Sequence, residues 1–241
     1  MISIFAAEVL KLRRSLVLLV GATPPVMVFA LAVMVRVTGN APEEWSLQIA
    51  AGAAVWAYFL LPMTAIGVTA LLAQLEHTPG TWSHTLALPV AKWKIFLAKA
   101  VTAQILMLII SVLVALASIG GGLAGGWISP DHAAQGDIDL LLSGRLYGLM
   151  FLASFLVTAI QWTLAMRFAS FAVPVSLGIA GTFVAVAATS ARSGLYFPWL
   201  MPVNVLASDA ERAALAITLG TTGGLILYAA AIIWLSRRDW L

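Results

Sequence analysis

The chain has 241 residues, 62% of them hydrophobic and only 10% charged, with a mean hydropathy of +1.01. A water-soluble domain carries about 25% charged residues, so the bilayer must be the solvent for most of this surface, and a polytopic membrane protein is expected. Cysteine is absent, which removes disulfides, thiol catalysis and thiolate metal sites; the net charge of +3 is small, and no soluble basic run interleaved with aromatics offers a nucleic-acid surface.

Residues 1–14 read MISIFAAEVLKLRR. Ile2, Phe5, Val9 and Leu12 fall near helical spacing, with Glu8, Lys11, Arg13 and Arg14 completing an amphipathic helix that lies on the membrane surface. Residues 15–35 form the first expected span, kinked at Pro24-Pro25. Ala30-Leu31-Ala32 formally fits a signal-peptide cleavage site, but the apolar run continues through Val35 and more spans follow, so the segment is read as retained. After a polar loop with Glu43 and Glu44 come spans at 47–75, bearing Pro62, and at 93–123, which runs into the glycine-rich stretch 120–126. A polar loop with Asp131, His132, Asp137 and Asp139 precedes the fourth span at 141–166. Arg167 marks a tight turn, and 168–190 and 213–235 complete an all-helical chain of six spans in a single transmembrane domain. The loop at 191–212 is rich in aromatics but broken by Pro198 and Pro202, with Trp199 between them; short re-entrant or interfacial helices fit it best.

Six spans place both termini on one side. That face would hold Lys11, Arg13, Arg14, Lys92, Lys94, Lys99, Arg167, Arg237 and Arg238, nine of the thirteen basic residues, against Arg36, Arg145, Arg192 and Arg212 opposite. The positive-inside rule makes the first face cytoplasmic.

The stretch 74–99, QLEHTPGTWSHTLALPVAKWKIFLAK, lies on that face. It carries Glu76, His77 and His84, a turn signal at Thr78-Pro79-Gly80, an amphipathic segment with Trp82, Leu86 and Leu88, a stop at Pro89, and then Lys92, Lys94 and Lys99. A short helix along the inner membrane surface is predicted, and it reads as a docking element.

The spans contain no Asp, Glu, Lys or His at mid-depth, which disfavours proton- or sodium-coupled transport. Gln104 and Gln161 are the most polar long side chains in the spans, and each can bond to a neighbouring helix. No nucleophile-and-base pair shares one depth, no G-x-S-x-G elbow occurs, and the acids around His132 match no zinc spacing. The glycine cluster lacks a following Gly-Lys-Ser/Thr and so is not a phosphate loop. Gly121/Gly125 and Gly220/Gly224 form G-x-x-x-G pairs suited to close helix contact, within the chain or between copies. Trp45, Trp93, Trp127 and Trp240 read as interfacial anchors. A catalytic role is not expected.

The order of amphipathic helix, six spans and a motif after span two resembles the permease subunits of ATP-binding-cassette exporters of the type-2 class. The motif runs Glu76, Gly80, Thr81, Trp82, Leu88, Pro89, Val90 and Lys99. In length, and in having no fused nucleotide-binding or large outer domain, the chain looks most like the lantibiotic-immunity and bacitracin-resistance permeases. The resemblance implies a bacterial-type cell-membrane subunit that pairs with a second permease chain, identical or homologous. A separate cytoplasmic ATPase would bind ATP and Mg, with no cofactor in this chain. It implies a coupling helix with Glu76, Gly80, Thr81, Trp82, His84, Leu86, Pro89, Lys92 and Lys99 at or near the ATPase interface, and Pro198, Trp199 and Pro202 in the outer re-entrant segment. The cargo would be an amphipathic or hydrophobic molecule such as an antimicrobial peptide, an antibiotic or a lipid, passing Tyr58, Phe59, Met63 and Phe183. An ion-gradient carrier of hydrophobic solutes, or a non-transporting immunity or scaffold protein, are the alternatives.

Overall fold

The fold is taken from a computed structural model, which describes residues 2–13, 15–39, 42–78, 80–87 and 89–238, the side chains of residues 2, 83 and 192 excepted. Arg14, Pro79, Leu88 and Trp240 of the sequence reading lie outside the described residues. Helices follow in the order α1 (Ile2–Leu12), α2 (Leu16–Thr38), α3 (Trp45–Val55), α4 (Leu61–His77), α5 (Trp82–Leu86), α6 (Lys92–Ile128), α7 (Leu140–Ala153), α8 (Phe155–Arg167), α9 (Ala172–Ala188), α10 (Met201–Asn204) and α11 (Ala210–Arg237). No strand is formed among the described residues; an isolated parallel bridge, Glu44 to Gln135, ties two loops together.

Among the described residues, four helices are long and apolar enough to cross a bilayer: Leu16–Thr38, Trp45–His77, Lys92–Ile128 and Ala210–Arg237. The second is a single 33-residue rod in which α3 and α4 are joined by a π-helical turn at Trp56–Leu60. Pro62 explains the turn. It has no N–H to offer the carbonyl four residues back, and the Leu61 N–H instead reaches the Trp56 carbonyl. Helices α7 and α8 make a fifth span if counted as one, bent by 43°. The helix over the expected fifth of six spans, α9, has only 17 residues, because 168–171 belong to the turn after α8. It falls short of the roughly 20 residues a perpendicular crossing takes.

Small residues decide how the rods pack. Gly121 and Gly125 of α6 lie against the backbone of α2, where a Cβ on Gly121 would meet the Phe29 carbonyl oxygen and one on Gly125 the Arg36 side chain. Gly220 and Gly224 of α11 sit in the same way against Ala153 and Phe155. Both G-x-x-x-G pairs are thus used within the chain. The second pair also accounts for the bend between α7 and α8, which has neither proline nor glycine at its apex. Ser154 turns its hydroxyl onto the Phe151 carbonyl, and Thr221 of α11 donates to the Leu152 carbonyl beside the break. Gln104 of α6 donates to the Tyr228 hydroxyl of α11 at 3.0 Å, a bond between helices. Gln161 is fully buried, and its carboxamide has no hydrogen-bond partner among the described residues.

The stretch at 191–212 folds as two 3₁₀ turns, Arg192–Tyr196 and Pro198–Leu200, followed by α10. Pro202 is buried, and Trp199 packs on Gly181 of α9 while stacking on Phe197. Arg212 Nε holds α10 to α11 through the Asn204 carboxamide oxygen at 2.9 Å.

Candidate functional site

At one end of the α4 and α6 rods, three elements meet on four charged side chains. Glu8 and Lys11 stand one turn apart on α1, Glu76 lies in the last turn of α4 and Lys99 about two turns into α6. Lys99 Nζ donates to Glu8 at 2.8 Å and to Glu76 at 2.9 Å; Lys11 Nζ donates to Glu8 at 2.7 Å and to the same Glu76 oxygen at 2.6 Å. Glu8, Glu76 and Lys99 are buried and Lys11 is half-buried. Isolated charges could not be held there; two acids against two amines, each amine shared by both acids, can be. Burial by itself would lower the Lys11 pKa, but the bonds to Glu76 and Glu8 more than reverse this and hold it above its ordinary value.

The second oxygen of Glu76 is turned to the segment that follows. It accepts from the Thr81 hydroxyl at 2.6 Å and from the Thr85 hydroxyl at 3.1 Å, and the Thr81 backbone N–H reaches the Glu76 carbonyl at 3.1 Å. The chain returns on itself between these points through Gly80, whose φ of +65° only glycine adopts without strain. Helix α5 is therefore fastened to the end of α4 by the same carboxylate that binds both lysines. Trp82 completes the junction. Its ring stacks on Phe96 at 5.6 Å between centroids, Lys99 Nζ lies 5.6 Å from its centre, and its indole N–H donates to His77 Nδ1 at 2.9 Å. Trp82 faces inward, 6% exposed, and is not on the surface that a partner would meet first.

The outer face of this segment belongs to other residues. Gly80, His84 and Pro89 are exposed, and Thr81, Thr85, Leu86 and Lys92 partly so. A groove of about 480 Å³ runs between Ile4, Ala7 and Lys11 of α1, His84 and Thr85 of α5, and Ile95 of α6. The motif residues thus divide in two: Glu76, Trp82 and Lys99 form the interior of the junction, while Gly80, His84, Leu86, Pro89 and Lys92 lie on or near its surface.

Glu8 and Lys11 are the members that sequence patterning missed as site residues. Of the apolar stripe, Val9 is exposed and Leu12 is buried against the chain, while Glu8 is turned inward. A usable signal was present. An acid and a lysine three apart in a short apolar helix match Glu76 and Lys99 near two span ends, so the four cancel.

Tyr58, Phe59 and Phe183 are exposed on the outside of this chain, with Met63 partly buried. Tyr58 and Phe59 belong to the π-helical turn, and Phe183 to α9.

None of the curated proteins compared with the chain matches it. A family described as ABC-2 family transporter protein matches residues 4–185, a stretch that takes in α1, the charge cluster, α5 and most of the spans. Membership in that family implies an ATPase partner and the role of a transport membrane subunit, which is generally not catalytic. A multi-pass membrane chain whose match runs over three quarters of its length belongs to the ABC-2 family, as a membrane permease component of an ATP-binding-cassette transporter.

Proposed function

We propose that this chain is the membrane subunit of an ATP-driven exporter, that 80–92 is the surface on which a separate cytoplasmic ATPase docks, and that the Glu8–Lys11–Glu76–Lys99 cluster carries the resulting movement into the spans. The observation that carries the reading is Glu76. One buried carboxylate bonds α5 through Thr81 and Thr85, α1 through Lys11 and α6 through Lys99. A push on α5 has no path that leaves the ends of α4 and α6 unaffected. Nucleotide binding in the partner would then act by favouring one of two arrangements of this junction.

In this reading all of the chain is one transmembrane domain with six crossings, α9 being the shortest, and both termini are cytoplasmic together with α5. The nine-to-four division of basic residues supports that orientation. The functional unit is two permease chains, identical or homologous, with ATP and Mg held by the ATPase. The cargo is amphipathic or hydrophobic, in the manner of the antimicrobial-peptide and bacitracin-resistance permeases. Apolar and aromatic outer surfaces, with Tyr58, Phe59, Met63 and Phe183 among them, suit entry from the bilayer better than an ion route. Pro198, Trp199 and Pro202 form the outer re-entrant element.

The test is a mild-detergent pull-down of the tagged chain from its native membrane, followed by an ATPase assay of the eluate. The wild type should bring down an ATPase, His84→Glu should lose it, and Glu76→Gln should retain it with uncoupled turnover. Purification without any ATPase, together with transport abolished by an uncoupler, would replace the exporter with a gradient-driven carrier. Protection against a toxin that survives a block on ATP hydrolysis would make the chain a scaffold or immunity protein.

A further inference from the structure

The charge cluster ties α5 to α1, α4 and α6, yet α8 also ends at this junction, and a neutral side chain spans the distance. His77 Nε2 lies 3.2 Å from the Ala165 carbonyl oxygen of α8, while Trp82 Nε1 donates to His77 Nδ1 at 2.9 Å. A carbonyl can only accept, so Nε2 carries the proton and Nδ1 is the free acceptor that the indole N–H requires. Resting on the coupling reading above, we propose that His77 is a positioning residue that transmits movement of α5 to the α8–α11 end of the membrane domain.

Beyond Ala165 the linkage continues. The Arg167 guanidinium lies over the rings of Phe168, 5.2 Å away, and Trp234 of α11, 6.0 Å away, and Arg238 Nη1 donates to the Arg167 carbonyl at 3.4 Å. Gln74, one turn before His77, donates to the Ala169 carbonyl in the turn after α8. Displacing Trp82 therefore pulls on the end of α8, and through it on the end of α11. The relay depends on one protonation state. An imidazolium donates from both nitrogens, so protonated His77 keeps Ala165 but can no longer accept from Trp82. The charged groups acting on the ring are Glu76 on α4 and Lys99 on α6; α8 presents the Ala165 carbonyl, and α5 the Trp82 indole.

The experiment uses the full chain with the ATPase that co-purifies with it, in wild type, His77→Leu and His77→Gln. Glutamine offers a carbonyl oxygen to the indole and an N–H to Ala165; leucine offers neither. His77→Leu should still bring down the ATPase but lower permease-stimulated ATP turnover about tenfold, the equivalent of two lost hydrogen bonds, and His77→Gln should recover most of it. The ratio of wild-type to His77→Gln turnover should also fall once pH is lowered well below the ordinary imidazole value of roughly 6.5, because glutamine does not titrate. Full activity in His77→Leu, no recovery in His77→Gln, or a flat ratio would each overturn the relay while leaving the docking surface standing. If His77→Leu does not accumulate in the membrane, the pH ratio decides alone. An ATPase missing from the wild-type eluate would instead remove the coupling reading, and the relay with it.

Discussion

Lys99 and Glu76 stand 2.9 Å apart across 23 positions of sequence, both nearly without solvent contact, and each is also bonded to the amphipathic first helix. Breaking such a pair from one side leaves the survivor buried and uncompensated. Glu76→Leu alone should therefore cost about 3–5 kcal/mol, while Glu76→Leu combined with Lys99→Met should cost distinctly less than the two single changes summed. Thermal unfolding in detergent of the four members of this cycle measures the difference. Additive losses would mean that the two groups do not act as a pair.

Lys11 gives the junction a pH limit. Its pKa is raised above the ordinary 10.5 on folding, so the stabilisation it provides is complete below that value. It fades as pH climbs through the higher folded value. Alkaline titration should release α1 before the spans unfold, seen as proteolytic cutting within residues 2–13. Release on mild acidification would mean that Lys11 is not the group responsible.

Arg36 is buried at the end of α2, with Nη1 3.9 Å from the Glu43 carboxylate and with Nε and Nη2 lacking hydrogen-bond partners among the described residues. Its replacement by Met removes a poorly compensated charge from the interior. Stability of Arg36→Met should be unchanged or increased, by up to about 1–4 kcal/mol. A lower melting temperature would mean that the guanidinium has a partner worth more than its desolvation.

Glycines of the same type separate by their surroundings. A Cβ at Gly220 would press on the Ala153 carbonyl oxygen, whereas Gly144 and Gly148 on α7 have open space where a Cβ would stand. Gly220→Ala should cost about 1–3 kcal/mol. Gly144→Ala and Gly148→Ala should be neutral or slightly stabilising, since alanine is the better helix former. Melting temperatures of the three variants provide the check, and a loss at Gly144 as large as that at Gly220 would point to a contact absent from the single chain.

What could be read from sequence followed from signals that need no tertiary context. Apolar length located the four long rods, and the Thr78-to-Pro89 turn residues bracketed α5. Patterning failed where a neighbour sets the outcome. Periodicity puts Glu8 on the polar side of a surface-lying helix, yet it is buried, because Lys11 and Lys99 can neutralise it there. The bend at Ser154 has no local breaker, and it exists because the glycine face of α11 comes close enough to hold it. At 168–171 the apolar run continues without interruption in sequence, but it is spent on the turn that lets α9 reverse against α8.

The π-helical turn at Trp56–Leu60 amounts to one residue inserted into an otherwise regular rod. One residue of helix is about 100° of rotation and 1.5 Å of rise, so every side chain beyond Leu60 is phased by that insertion relative to Trp45–Val55. Glu76 meets Lys11 and Lys99 only with the insertion in place. Deleting a single residue between Val55 and Leu61 would leave the composition of the span almost untouched and yet aim its terminal carboxylate at the wrong side of the rod. The spacing of the π turn from Glu76 thus works like the offset between teeth on a key.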